Sequence, residues 1–181
     1  MSKSPRRNDP DRRARILQAT LDMLVEHGIS HITHRKIAAA AGVSLGSMTY
    51  YFDGIESLLS EAFTRFAHHM SDDYRSRLEQ AGNRDEACEA IVDMICGEKI
   101  ATSYNLQVMY QLYAYANRNP ELKIIMQDWM RRSQQVLETF FDPITARILD
   151  AFIEGMTLHY VTDRQPLSRE DLSRMLAKIV G

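Results

Sequence analysis

Three of the five prolines in this sequence directly follow an Asp or Asn side chain, at Asp9-Pro10, Asn119-Pro120 and Asp142-Pro143. An Asp or Asn side chain can accept hydrogen bonds from the free amides of a first helical turn, and proline lacks an amide that this turn would leave unpaired. Each pair therefore predicts the start of an α-helix. Strand signals are nearly absent, because the chain has no Asn-Gly hairpin and no sustained alternation of apolar and polar residues.

Apolar residues recur at helical spacing along the rest of the chain, and they predict an all-α fold of about nine helices. Asp53-x-x-Glu56 and Ser168-x-x-Asp171 resemble capping boxes and mark two further starts. The predicted helical ranges are 10–27, 34–41, 45–51, 54–81, 84–100, 103–118, 120–140, 143–162 and 168–180.

A chain of 181 residues can form one compact domain or two. The helices become long from Gly54 onward, so we expect one domain over residues 1–53 and a larger one over 54–181. No uncharged apolar run approaches the roughly 20 residues of a membrane helix, so we expect a cytoplasmic protein without a membrane partner. Residues 1–55 carry a net charge of +3 and the remainder −5. This difference is too small to indicate nucleic-acid binding by itself.

Cys88 and Cys96 fall in one predicted helix, about 12 Å apart at ~1.5 Å of rise per residue, which is too far for a disulfide. We therefore expect two free thiols. The sequence contains no nucleophile elbow, phosphate loop or HExxH pattern, and we predict no enzyme activity, metal site or cofactor. The His and Asp side chains at 68, 69, 72 and 73 are expected on a solvated helix face.

The segment from Ile32 to Phe52 joins two short helices through a turn that contains Gly42. Thr33 is predicted to cap the first helix, and Ser44 the second. A second helix that opens on small polar residues is typical of a helix-turn-helix, which places this helix in the major groove of DNA.

Gly46 and Ser47 are small enough to let the second helix approach DNA closely. Tyr50 and Tyr51 combine an apolar ring with a hydroxyl tip, which suits packing on a sugar and donation to a phosphate. Adjacent helical residues point about 100° apart, so we expect at least one of the two rings to face DNA rather than the core.

The stretch RARILQATLDMLVEHGISHITHRKIAAAAGVSLGSMTYYFDGIESLL closely resembles the DNA-binding head of the TetR (tetracycline-repressor-like) transcriptional regulators. Its hallmarks appear in order: Gly28, Thr33, Ile37-Ala38, Ala41-Gly42-Val43-Ser44, Gly46, Tyr50, Phe52 and Leu58. The resemblance covers about the first 60 residues, and beyond them it is one of layout only. It implies an N-terminal helix-turn-helix head of three helices and a larger C-terminal helical domain for ligand binding and dimerisation.

Position by position, the resemblance implies phosphate contacts from Thr33, Ser44, Ser47, Tyr50 and Tyr51, and base reading by Arg35, Leu45, Gly46 and Thr49. Leu45 and Ile55 stand where the family often has lysines, so two phosphate charges are expected to be missing. Weaker electrostatic anchoring, or compensation by Arg6, Arg7, Arg12 or Lys36, follows as a hypothesis. Leu45 and Thr49 could instead meet thymine methyl groups, or Leu45 could pack on the first helix.

The helix predicted over 103–118 is apolar on both sides, which indicates a buried helix. Its glutamines need partners, and a small apolar or aromatic effector is one way to supply them. The candidate effector-binding residues are Tyr104, Gln107, Val108, Gln111, Met126, Trp129 and Met130. The alternative is that these side chains only form the core, as apolar stripes at helical spacing usually do.

Two apolar stripes near the C-terminus predict a dimer interface in which two helices from each subunit form a four-helix bundle. The candidate residues are Leu149, Phe152, Ile153, Met156, Tyr160, Leu172, Met175, Leu176 and Ile179. In a monomer the same stripes would close the core.

The leading interpretation is a homodimeric, sequence-specific regulator of transcription that binds double-stranded DNA. We expect a repressor that a small-molecule effector releases from a palindromic operator. The alternative is a dimeric DNA-binding protein that needs no effector.

Overall fold

A computed structural model describes residues 9–97 and 99–181, and over these ranges the chain is helical without strands. The helices are α1 Arg12–His27, α2 His34–Ala40, α3 Leu45–Tyr51, α4 Ile55–Leu78, α5 Arg84–Cys96, α6 Ser103–Ala116, α7 Pro120–Leu137, α8 Pro143–Thr162 and α9 Arg169–Val180. A short 3₁₀ helix, Ile29–His31, follows α1. The predicted all-α fold is confirmed. No described helix has the length and apolar character that crossing a membrane requires.

The chain forms two compact units, one ending at Thr64 and the other beginning at Arg65. The division lies inside α4 rather than before it, because the first turns of α4 belong to the N-terminal unit. Completely buried side chains of that unit include Ile16, Leu24, Ile37, Met48 and Leu58.

The local signals for helix starts act largely as predicted. The Asn119 side chain accepts hydrogen bonds from Glu121 N and Leu122 N, and Asp142 does the same for the first turn of α8. Asp9 behaves differently: its carboxylate accepts from Asp11 N at 3.1 Å and binds Arg15 at 2.7 Å. Pro10 and Asp11 therefore form a turn, and α1 begins at Arg12 rather than at Pro10.

Two glycines define the turns of the N-terminal unit. Gly28 ends α1 with φ +73°, and Gly42 follows α2 with φ +65°. At Gly42 the Val43 amide donates to Ala38 O at 2.9 Å and the Gly42 amide to Ala39 O at 3.2 Å. This pair of bonds is a Schellman motif, which satisfies the last carbonyls of α2 and turns the chain toward α3.

The C-terminal unit is formed by the rest of α4 and by α5 to α9. Asn83 and Thr102 cap α5 and α6 through bonds to Glu86 N and Asn105 N. Cys88 and Cys96 lie on α5 as free, half-buried thiols, as predicted. Burial raises the pKa of both thiols, so the thiolate is the minor form of each at neutral pH.

The two predicted caps of the helix-turn-helix differ in their bonding. The Thr33 side chain accepts from Lys36 N, whereas the Ser44 hydroxyl pairs with the Ser47 hydroxyl at 3.0 Å and accepts from no backbone amide. The Thr33→Ala substitution is therefore expected to lower the free energy of unfolding by about 1 kcal/mol, and Ser44→Ala by clearly less. Urea unfolding at matched protein concentration measures both. An equal loss in the two variants would contradict the assignment of capping to Thr33 alone.

Candidate functional site

The exposed side of α3 gathers the small polar residues of the helix-turn-helix. Ser44, Gly46 and Thr49 are exposed, while Met48 on the opposite side is completely buried. The Thr49 hydroxyl donates to Gly46 O at 3.2 Å. The surface is therefore shallow, and its hydroxyl oxygens keep capacity for further hydrogen bonds.

Aromatic side chains close the C-terminal end of the same helix. Tyr50 is 81% exposed, and its ring stands edge-on to half-buried Tyr51 at 4.9 Å between centroids. Phe52 is buried, with the Arg13 guanidinium 5.6 Å from its ring centroid. Tyr50 is therefore the ring that projects from this surface, and Tyr51 supports it from the side.

Leu45 is 46% exposed, so it is not buried against α1. Its apolar side chain stands at the start of the exposed side of α3, beside hydroxyl groups. This position leaves its methyl groups open to a partner.

Basic side chains around this surface are few among the described residues. Arg35 and Lys36 are exposed, and Lys36 Nζ donates to His31 O at 2.8 Å. Arg13 and Arg15 form ion pairs with Glu61 and Asp9, both at 2.7 Å. Arg12 is half-buried, and Arg6 and Arg7 lie outside the described residues.

The C-terminal unit contains a pocket of about 640 Å³, part of which is open to solvent. Helices α4, α6, α7 and α8 and the segment before α6 form its walls. The lining residues are Met70, Tyr74, Ile100, Leu106, Met109, Tyr113, Trp129, Met130, Ser133, Asp150, Ile153, Glu154 and Thr157.

Only part of the predicted effector-binding set lines this pocket. Trp129 and Met130 do so, whereas Tyr104, Gln107, Val108, Gln111 and Met126 do not. Val108 is completely buried in the core, and the Gln107 amide bonds the Ser103 hydroxyl at 3.1 Å. The side of α6 that lines the pocket is instead the one with Leu106, Met109 and Tyr113. Both sides of this helix are apolar enough to be buried.

Two carboxylates give the pocket its charge. Asp150 Oδ2 accepts from Gln134 Nε2 at 3.0 Å, and burial raises the pKa of this carboxyl despite that bond. Burial also raises the pKa of Tyr113, with a second contribution from its hydrogen bond to the Glu154 carboxylate. Glu154 is exposed, so it lies where the pocket opens to solvent.

Two hydroxyl groups of the pocket have no hydrogen-bond partner among the described residues. They are Tyr74 Oη and Thr157 Oγ1, on side chains that are 8% and 7% exposed. An unpaired buried hydroxyl costs about 1–3 kcal/mol, so both groups favour a polar atom inside the cavity.

The nine predicted interface residues divide into two groups. Leu149, Ile153, Leu172 and Leu176 are buried within the subunit, and Ile153 lines the pocket. These four form core or pocket and have almost no surface for a partner, which corrects their assignment. Phe152, Met156, Tyr160, Met175 and Ile179 keep partial exposure.

Sequence reasoning missed two features of α8. Ile144 and Ile148 are 75% and 48% exposed and continue the outward side that includes Phe152. Asp150 and Glu154 were also missed, although two acids at i and i+4 in a largely apolar helix were a readable signal for a polar site.

Comparison with known proteins assigns both parts of the chain. Residues 16–62 match the family model for bacterial regulatory proteins of the tetR family, and residues 82–181 match the tetracyclin repressor-like C-terminal domain. The chain is 24% identical to the HTH-type transcriptional regulator PksA of Bacillus subtilis over 93% of its own length and 88% of that protein.

Solved structures give the same result. The Streptomyces coelicolor A3(2) protein SCO7518 is 46% identical, with a TM-score of 0.84 over 94% of this chain and 99% of that one. The multidrug binding protein EbrR in complex with ethidium is 27% identical, with a TM-score of 0.71 over 96% of this chain and 100% of EbrR. The chain therefore belongs to the TetR family of helix-turn-helix transcriptional regulators.

Proposed function

We propose that this regulator is a homodimeric repressor that a small molecule releases from a palindromic operator. The observation that carries the proposal is the pairing of an exposed, polar α3 with a pocket in the C-terminal unit. In this scheme residues 1–53 bind DNA and residues 54–181 bind the effector and the second subunit.

The proposed DNA contacts follow the exposed side of α3. Thr33, Ser44, Ser47, Tyr50 and Tyr51 bind phosphates, with Lys36 as a further backbone contact. Arg35, Leu45, Gly46 and Thr49 meet base edges, and the apolar Leu45 is suited to a thymine methyl group. Exposure of Leu45, Thr49 and Tyr50 supports this arrangement.

Helix α4 is proposed to couple effector binding to the release of the protein from DNA. This helix starts in the N-terminal unit, and its residues Met70 and Tyr74 line the pocket. A ligand that shifts these side chains favours one position of α4, and with it a spacing of the two reading heads that no longer fits successive major grooves. The complex of EbrR with ethidium supports a small-molecule ligand for this regulator.

The dimer is proposed to form through the outward sides of α8 and α9. Exposed or half-exposed apolar side chains lie there, including Ile144, Ile148 and Phe152 on α8 and Met175 and Ile179 on α9. A Cβ added at Gly155 meets no atom of the subunit within 4 Å, so a partner helix has room to approach α8 closely.

The test of the proposal is selection from a pool of genomic DNA fragments by the purified protein at two salt concentrations. We expect enrichment of a palindrome whose half-sites lie one or two helical turns apart. Retention without enrichment would contradict sequence-specific binding. If no ligand from a broad screen lowers the operator affinity, the dimeric regulator without effector becomes the better description.

Titration of the same operator at several salt concentrations measures how much electrostatic contacts with phosphates contribute to binding. Because Leu45 and Ile55 carry no charge and Arg13 and Arg15 are ion-paired, we expect log affinity to fall with log salt with a slope below about six in magnitude. The Leu45→Lys substitution should steepen this slope by about one unit for each added phosphate contact. A wild-type slope beyond about six would contradict weak anchoring.

The Tyr50→Phe substitution removes only the hydroxyl that is proposed to reach a phosphate. We expect operator affinity to fall at least about tenfold, because hydrogen bonds to charged groups contribute about 1.5–3 kcal/mol. The slope against salt should stay unchanged. Tyr110→Phe, at an exposed tyrosine on α6, is the matched control in a fluorescence anisotropy titration. Equal losses in the two variants would contradict a contact by Tyr50.

The Ile148→Arg substitution places a charge on the outward side of α8. We expect sedimentation equilibrium to show a shift from dimer to monomer, with a loss of operator affinity of more than about tenfold, because burial of an unpaired charge is costly. Ile124→Arg is the control, since Ile124 is similarly exposed on α7. A stable Ile148→Arg dimer would place the interface elsewhere.

A further inference from the structure

The pocket of the C-terminal unit carries negative charge without a basic residue in its walls. Asp150 and Glu154 lie one turn apart on α8, and none of the lining residues is Lys, Arg or His. The ion pairs between described residues involve other side chains. The two carboxylates therefore have no counter-charge within the cavity.

Arg147 is near enough for its charge to lower the pKa of Asp150, but the hydrogen bonds that link the two side chains pass through Gln134. Arg147 Nη2 donates to Gln134 Oε1 at 3.2 Å, and Gln134 Nε2 donates to Asp150 Oδ2 at 3.0 Å. Gln134 thus orients the Asp150 carboxylate without neutralising it. Burial raises the pKa of Asp150 most and Glu154 raises it further, and together they outweigh the Gln134 hydrogen bond and the charge of Arg147, which lower it.

Aromatic rings complete the walls. Tyr74, Tyr113 and Trp129 line the same cavity as the carboxylates. The Trp129 ring is held edge-on to Phe66, with 6.2 Å between centroids. Rings of this kind attract a cation over their faces, and the effect is larger where water is excluded.

Apart from Ser133 and Thr157, the remaining lining residues are apolar, with methionine and branched aliphatic side chains such as Met70, Met109 and Ile153. An inorganic cation that loses its water shell needs about six or more oxygen ligands from the site, which such walls do not supply. The flexible methionines adapt instead to an organic body of irregular shape.

We propose that the effector of this regulator is a lipophilic organic cation, whose charge lies against Asp150 and Glu154 and whose apolar body packs on Trp129 and the methionines. The inference deepens the proposed function and rests on its assignment of this pocket as the effector site. The unpaired hydroxyls of Tyr74 and Thr157 supply partners for an N–H or a polar substituent of the same ligand.

The test uses two probes of equal shape and different charge. Benzyltrimethylammonium is the cation, and neopentylbenzene, in which carbon replaces the nitrogen, is the neutral isostere. Trp129 is the single tryptophan of the chain and lines the pocket, so its fluorescence reports binding at this site without DNA. We expect the cation to bind at least about tenfold more tightly, whereas a merely apolar pocket would prefer the neutral probe.

The Asp150→Asn and Glu154→Gln variants remove one charge each and keep the shape of the side chain. We expect each to weaken binding of the cation about fivefold or more and to change binding of neopentylbenzene by less than about twofold. Glu138→Gln is the matched control, because Glu138 is exposed at the end of α7 and outside the pocket. Far-UV circular dichroism and thermal unfolding confirm that each variant is folded.

The proposal would be overturned if neopentylbenzene bound as tightly as the cation, or if neither probe bound. It would also be overturned if both acidic variants preferred the cation as strongly as the wild type does. Failure of the proposed function has a different signature. In that case benzyltrimethylammonium would bind with the expected dependence on Asp150 and Glu154, and the operator affinity would not change at saturating probe.

Discussion

Helices α2 and α3 contain seven residues each, and isolated helices of this length are not stable in water. Ile37 on α2 and Met48 on α3 are both completely buried, and their packing replaces the stability that the helices lack. The Thr33 cap and the Schellman turn at Gly42 then fix where α2 begins and ends. The exposed side of α3 depends on these contacts, because a helix of seven residues does not keep its structure without packing.

Helix α8 has a comparable importance in the C-terminal unit, because its sides face different surroundings. Leu149 lies in the core, Asp150 and Glu154 line the pocket, and Ile144 and Ile148 face outward. One helix therefore carries the charge of the cavity and an exposed apolar surface. Because both features lie on one helix, a rotation of α8 about its axis would change both of them at once.

The sequence predicted the helices well, since their limits depend on local chemistry. Asn119, Asp142 and Gly42 act through bonds to residues within a few positions, so each could be recognised from its neighbours. The start of α1 was predicted two residues early, because the Asp9 carboxylate binds Arg15 as well as a nearby amide. Helical geometry also predicted that at least one of the Tyr50 and Tyr51 rings would lie outside the core, and the Tyr50 ring does.

The pocket could be predicted only in part, because its walls depend on how long helices pack. Helix α6 is apolar on both sides, and nothing in its sequence decides that Met109 reaches the cavity while Val108 enters the core. The same ambiguity on α8 placed Leu149 and Ile153 at an interface. Asp150 and Glu154 were the exception, since their spacing in an apolar helix was visible in the sequence.

The side chains that hold the helix-turn-helix together are separate from those that it exposes. Ile37 and Met48 are buried, whereas Leu45, Thr49 and Tyr50 are exposed and contribute little to the core. Substitutions at the exposed positions can therefore accumulate during evolution with little cost in folding. A duplicated copy of such a gene could acquire a new binding sequence while keeping its stability, and regulators of this architecture can diversify readily.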